Sequence, residues 1–255
     1  MTGQREAELL DATNLLLDAR RTSTPIADLP PDLQPTSLDE SFYIQSQLAQ
    51  AFGTVGGWKV GAPTPEATPL AGPMPSAWIG PNASTLTKAN HRFRGLEAEV
   101  AFLLGRDLPP RSTPYTLDEI KQAIQSCHPA IEILESGLAD PTVATRLSMI
   151  ADLQMHGGFV FGPACPDWQS IDFRKETVTL VIDGSIRVER TGSNTSGDLY
   201  RLLPWLANEA SARTGGLRAG QWITTGSWTG VTVASTGNAV DVHFGNLGRV
   251  SLAFE

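Results

Sequence analysis

The chain has 255 residues, a formal net charge of −8, and 41% apolar and 18% charged residues. That length and balance suit one large core with a small appendage, and they exclude a disordered chain. The 27 acids outnumber the 19 bases, and no Lys/Arg run supplies the basic footprint of a nucleic-acid binder. No run of about 18 apolar residues predicts a membrane span. The opening Met1–Glu6 leads into an amphipathic stretch without the apolar core of a signal peptide, so a cytoplasmic protein is expected. Cys127 and Cys165 are too few for a disulfide framework and are expected as buried reduced thiols.

Leu9, Leu10, Ala12, Leu16 and Leu17 have helical spacing. A Pro-rich segment, Pro25 to Pro35, interrupts it. Ser37-Leu38-Asp39-Glu40 reads as a capping box opening a helix through Phe42, Ile44, Leu48 and Phe52 that stops at Gly53. From Gly57 the pattern turns to short alternating runs. Trp58-Lys59-Val60 reads as a strand, residues 62–83 as a long Pro- and Ala-rich loop, and Leu96 to Leu104 as a strand. Thr116–Glu119 is a second capping box, opening a helix through Ile120, Ile124 and Cys127 that Pro129 ends; Ala130 to Leu134 follows as a strand.

Val178 to Val188 predicts a hairpin on Asp183-Gly184, a pair suited to the two positive φ angles of a type I′ turn. Leu199 to Ala210 predicts a helix that Pro204 kinks or starts. Strands are expected near 221–226, 231–235, 239–244 and 249–254. Runs of strands with few helices predict an α+β fold, not a βαβ repeat. The predicted division is a helical N-terminal subdomain over 1–56 and a β domain over 57–255.

The sharpest chemical signal is Gly95-Leu96-Glu97-Ala98-Glu99-Val100-Ala101-Phe102. On a strand Glu97 and Glu99 share one face, and Leu96, Ala98, Val100 and Phe102 share the other. Carboxylates at i and i+2 stand roughly 7 Å apart at their roots, so both can lean onto one cation; a solvated outer face reads the same way. Glu132, between Ile131 and Ile133, is either part of a half-exposed strand or a third oxygen ligand, because a lone Glu is costly to bury without a partner. Three carboxylates suit Mg²⁺ or Mn²⁺ better than Zn²⁺. Lys59, bracketed by Gly57 and Gly61, is either a snorkelling surface residue or a cation aimed at an anionic substrate. Thr225-Gly226-Ser227 is either a glycine bend or a set of N–H and hydroxyl donors for a carboxylate. His156, close after Asp152, is a structural histidine or an acid–base group; His91, His128 and His243 have weaker claims. Neither a Gly-x-Ser-x-Gly elbow nor a Gly-x-Gly-x-x-Gly loop is present.

Taken together these segments resemble the fumarylacetoacetate hydrolase superfamily, above all its 2-keto-4-pentenoate hydratase and 4-oxalocrotonate decarboxylase branch. The resemblance is carried in order by Pro25-Ile26, Tyr43-Ile44-Gln45, Gly57-Trp58-Lys59-Val60-Gly61, Glu97-Ala98-Glu99-Val100-Ala101-Phe102 and Pro129-Ala130-Ile131-Glu132-Ile133. Trp205–Asn208, Leu217–Gly220 and Thr225-Gly226-Ser227 continue it. It implies a mixed β-roll, or distorted barrel, with a small helical N-terminal part. It implies a metal, Mg²⁺ or Mn²⁺, on Glu97, Glu99 and Glu132, with Lys59 reaching the substrate and Thr225, Gly226 and Ser227 near it; Asp152 and His156 join Lys59 as candidate catalytic residues, His156 as an acid or base filling a gap in the family pattern.

The implied activity is a metal-dependent hydratase that adds water to 2-hydroxy-alka-2,4-dienoates through a stabilised enolate. The alternatives are a 4-oxalocrotonate-type decarboxylase, an acylpyruvate C–C hydrolase, or a non-catalytic partner subunit of such an enzyme. The implied partners are a small 2-keto or 2-hydroxy-dienoic acid, further copies of the chain in a homo-oligomer, and a pathway enzyme in complex. Three segments depart from the pattern: Pro73–Gly80 carries no acid, Glu135-Ser136-Gly137 lacks an Arg, and Ala151-Asp152-Leu153 has Leu where the family has Asn. These bear on water activation and the far end of the substrate, not on the metal.

Overall fold

The structure, a computed structural model, describes residues 3–87 and 91–255; Met1 and Thr2 of the N-terminal reading lie outside it. Helices α1 (Gly3–Thr22) and α2 (Leu38–Ala51) come first. Strands β1 (Val55–Gly61), β2 (Leu70–Pro75), β3 (Ile79–Pro81), β4 (Ser84–Leu86) and β5 (Gly95–Leu104) follow. Then come α3 (Leu117–Ala123), β6 (Ile124–Leu134), α4 (Arg146–Ala151) and β7 (His156–Phe161). A hairpin of β8 (Thr177–Ile182) and β9 (Ser185–Thr191) precedes α5 (Leu202–Asn208). Strands β10 (Trp222–Ser227), β11 (Thr232–Val233), β12 (Ala239–Phe244) and β13 (Gly248–Phe254) close the described chain.

The fold is α+β, as expected. An eight-stranded mixed sheet runs β2-β1-β10-β5-β6-β7-β3, with β11 added on β5, and a five-stranded sheet runs β4-β13-β12-β8-β9. Neither closes on itself, so the roll is open. Alternation sets the layers. Leu96, Val100, Ile131 and Ile133 of the large sheet join Leu180, Val242 and Leu252 of the small one in one buried core. A second cluster holds Leu9 and Leu16 of α1, Ile44 and Leu48 of α2, and Leu138, Ala151 and Leu153 from later in the chain. The α1–α2 layer therefore gathers the α4 segment around it.

Three local expectations need correction. Residues 62–83 are not one loop: β2 pairs along β1, with Trp58 opposite Pro73 and Val55 opposite Pro75. The prolines hid the strand, yet β2 is the sheet edge, where a missing N–H breaks no ladder. The helix opened by Thr116 ends at Ala123, and Ile124–Pro129 already belong to β6. Pro129 is tolerated there because its carbonyl accepts from Gly162 N–H just past the end of β7, so its ring nitrogen also faces outside that ladder. At α2 the capping box is half formed. Ser37 accepts from Glu40 N–H, but the Glu40 carboxylate turns to Thr36 N (2.7 Å) and Arg5 Nε (2.9 Å). The Thr116/Glu119 box is complete. Asp183 and Gly184 both take positive φ, 49° and 74°, as the type I′ turn requires. Pro204 lies in the first turn of α5, where it displaces no helical hydrogen bond. Cys127 and Cys165 are free thiols on residues opposed across a β-bridge.

Candidate active site

Five consecutive strands of the large sheet supply one cluster of polar groups on the face away from the main core. Glu97 and Glu99 project from β5, and Glu132 stands directly opposite Glu97 on β6. Lys59 comes from β1, in register with Thr224 of β10. His156 begins β7, beside β6. One oxygen from each of Glu97, Glu99 and Glu132 lies within 4.8 Å of the others, a group able to hold a metal ion among the described residues. Glu99 and Glu132 are buried and Glu97 partly so.

Each carboxylate has different company. Glu132 Oε1 takes the Lys59 ammonium at 2.6 Å and His156 Nδ1 at 2.9 Å. Its Oε2 is buried and has no protein partner. Glu99 Oε2 accepts from Thr224 Oγ1 and from Gly226 N–H at 2.9 Å. A register shift between Thr224 and Ser227 makes the latter contact possible: Gly226, at φ +84°, turns its N–H inward, a bulge geometry that a side chain disfavours. Lys59 also donates to the Gln154 carbonyl at 3.0 Å.

The charges respond accordingly. Burial and the neighbouring Glu132 push Glu97 up. Burial, then Glu132 and Glu97, push Glu99 well above the usual carboxylate range. Burial acts the same way on Glu132, but Lys59 and His156 outweigh it and hold its carboxyl at about 2. Burial works against the Lys59 ammonium, and Glu132 and Glu97 outweigh it, so its pKa rises. Burial keeps His156 below its ordinary value. The cluster carries one cation for three crowded acids, and an orphaned buried oxygen faces it. A hard divalent cation answers both imbalances.

A cleft of about 290 Å³ opens on this cluster. Lys59, Glu97, Glu99, Glu132, Gly226 and Ser227 all line it, with Gln154 beside them. Two of the sequence candidates face elsewhere. Thr225 donates to Val100 O. Asp152 is fully buried with both oxygens taken: Arg20 Nε at 2.5 Å, Ser136 Oγ at 2.5 Å and Gly137 N–H at 2.8 Å. Arg20 also donates to the carbonyls of His156, Glu135 and Asp152. His156 is completely buried behind Glu132, 6.0 Å from the Trp78 ring.

Sequence reading missed Thr224 and Gln154. Strand alternation places Thr224 on the same face as Gly226, a usable signal. Gln154 had none. Leu153, Gln154 and Met155 are three successive non-glycine residues at φ 55°, 52° and 63°. No local pattern predicts such a left-handed turn. It delivers the Gln154 carbonyl to Lys59.

An open mixed sheet presenting three carboxylates and a lysine at a cleft defines a class: a cluster of oxygen donors able to hold a metal ion beside one fixed cation. Residues 48–254 match the family model described as fumarylacetoacetate (FAA) hydrolase C-terminal, and the chain belongs to that family. It is similar to the 2-keto-4-pentenoate hydratase of Paraburkholderia xenovorans (strain LB400), 26% identical over 266 residues, covering 100% of this chain and 97% of the relative. The 2-hydroxyhexa-2,4-dienoate hydratase of Comamonas testosteroni is 27% identical over 158 residues, 62% of this chain and 59% of that one. Among solved structures, the 4-oxalocrotonate decarboxylase of Pseudomonas putida G7, complexed with magnesium and adipate, superposes with a TM-score of 0.85. It is 21% identical and covers 100% of this chain and 99% of its own, which supports the fold.

Proposed function

We propose that this chain is a divalent-cation-dependent hydro-lyase that adds water to 2-hydroxy-alka-2,4-dienoates of the 2-keto-4-pentenoate type. The observation that carries the reading is the convergence of Glu97, Glu99 and Glu132 on one point of a cleft, with the Lys59 ammonium 2.6 Å from Glu132. The end-to-end similarity to a hydratase supports it. Glu97, Glu99 and Glu132 hold Mg²⁺ or Mn²⁺ in this reading. Once bound, the cation supplies Lewis acidity to the C1 carboxylate and C2 oxygen of the substrate.

The chain's own groups do the rest. Lys59 keeps its proton and presents a fixed cation where negative charge develops on the substrate. Ser227 and Gly226 line the same cleft, where they would border the substrate carboxylate in this reading. His156 holds Glu132 by Oε1 and leaves Oε2 free to face the cation. Asp152 acts at one remove, fixing the turn that carries Gln154.

One observation favours a second reading. Among the described residues lining the cleft, the acidic and basic groups are the three glutamates and Lys59. With the glutamates on a cation, no separate base for water remains, which suits a 4-oxalocrotonate-type decarboxylase. The deciding assay follows products with 2-hydroxypenta-2,4-dienoate and 4-oxalocrotonate in Mg²⁺ or Mn²⁺. The 4-hydroxy-2-keto acid supports hydration, CO₂ release alone selects decarboxylation, and full turnover in excess chelator sinks both.

We also read the chain as a homo-oligomer, as the family resemblance implies. Light scattering at a multiple of the chain mass is the expected result. Among the described residues no helix is long and apolar enough to cross a membrane; we place the protein in the cytoplasm.

A further inference from the structure

The cleft has two chemically different ends. One holds the glutamates and Lys59. Beyond Lys59 the cleft runs past Gly61 and Pro63, with the side chains of Leu70 of β2 and of Met149 and Ile150 of α4 as its apolar wall and the Thr195 hydroxyl also lining it. Gly61 pairs with Leu70, so this apolar wall begins roughly 7 Å along the strand from Lys59. A 2-keto acid held by its C1 and C2 oxygens at the glutamate end carries its remaining carbons toward that wall.

Nothing charged waits for them there. Among the described lining residues Lys59 is the one cation, and it is committed to Glu132 and the Gln154 carbonyl. Arg213, Arg201 and Arg20 do not line the cleft. Arg213 donates to Gln45 Oε1 and Ala71 O, Arg201 to Ala67 O, and Arg20 to Asp152. A carboxylate at the tail of the substrate would lose hydration against Leu70, Met149 and Ile150 without gaining a counter-charge. A methyl group there buries apolar surface instead.

We infer that this cleft selects 2-hydroxydienoic acids with a short uncharged alkyl tail and discriminates against the corresponding dicarboxylates. The inference rests on the proposed 2-keto acid site and names its substrate class more narrowly. Curated relatives of the chain divide on this point. One is named for 2-hydroxyhexa-2,4-dienoate and another for 2-oxo-hept-4-ene-1,7-dioate, so the wall decides between real alternatives.

Calorimetry on the whole chain in excess Mg²⁺ tests it with three probes: oxalate, 2-oxohexanoate and 2-oxoadipate. The last two have the same carbon count and differ only in a methyl or carboxylate at the tail. The expected result is 2-oxohexanoate binding about tenfold tighter or better. In Met149→Lys, whose substituted position is only partly buried, that preference shrinks or reverses while oxalate affinity holds. If that variant does not fold, the two-ligand comparison on the unaltered chain decides alone. Equal or tighter 2-oxoadipate, or oxalate bound with neither longer acid, overturns the inference and leaves the 2-keto acid site standing. Failure of all three probes removes that site and the inference with it.

Discussion

Glu132 is the residue on which the site turns. Its neighbours Ile131 and Ile133 point into the main core, while Glu132 itself is wholly buried on the other face. Such a group persists only because Lys59 and His156 meet one oxygen and something positive can meet the other. His156→Phe removes the donor that orients Glu132 without touching the cleft. We expect Mn²⁺ affinity, read by electron paramagnetic resonance, to fall about 10–100-fold, the usual effect of losing a partner behind a metal ligand. Unchanged affinity would reduce His156 to packing. Lys59→Met behaves differently: Mn²⁺ still binds, and kcat falls on the order of 10²–10³-fold, as for loss of a fixed group that stabilises developing negative charge.

At the scale of elements, the segment after α4 carries strain that local sequence does not explain. Three left-handed residues in succession cost about 1–3 kcal/mol each, and Arg20 from α1 holds the turn through Asp152 and the His156 carbonyl. Gln154→Gly removes one strained position and keeps the carbonyl that Lys59 uses, so a higher melting temperature is expected. Arg20→Met leaves Asp152 buried without its cation. That loss costs about 3–5 kcal/mol, measurable by urea unfolding; a change under 1 kcal/mol would contradict the role assigned to the pair. The tie between α1 and α2 is pH-sensitive. The hydrogen bond from Arg5, against some desolvation, holds Glu40 at about 2 in place of 4.5. A depressed carboxylate stabilises the fold fully above its unfolded value and loses that contribution as pH falls from about 4.5 toward 2. Glu40→Gln is therefore expected to flatten the acid limb of a melting-temperature profile over that window.

For the whole molecule, the packing between the two sheets is independent of the carboxylate cluster, which lies on the other face of the large one. The apo chain should fold without a cation. It should then gain stability by mass action when Mg²⁺ or Mn²⁺ is added, about 2.7 kcal/mol at 100 times Kd. Scanning fluorimetry is expected to show a melting temperature that rises with either ion and returns on chelation. Glu97→Gln should abolish the rise. A rise that survives in that variant would move the metal away from these ligands.

Much of this was legible along the chain. Alternation in 95–102 and 130–134 put Glu97 and Glu99 on one face and Glu132 between core isoleucines, because side-chain direction on a strand follows from position alone. The Asp183-Gly184 hairpin and the Thr116 box were readable for the same reason: their signals are local. Other features were not. Proline masked β2 and the middle of β6, since whether a missing N–H matters depends on which neighbour a strand acquires in the sheet. The pairing of Glu97 with Glu132, the approach of Lys59 and Thr224, and the turn at 153–155 came from register and from contacts across more than a hundred residues, such as Arg20 to Asp152. The sequence by itself determined that Glu97 and Glu99 share one strand face and that Glu132 sits between core isoleucines. Only the tertiary structure decided that they meet, that Asp152 faces away, and that the far wall of the cleft is apolar, because distance between strands is a property of the folded sheet and not of spacing along the chain.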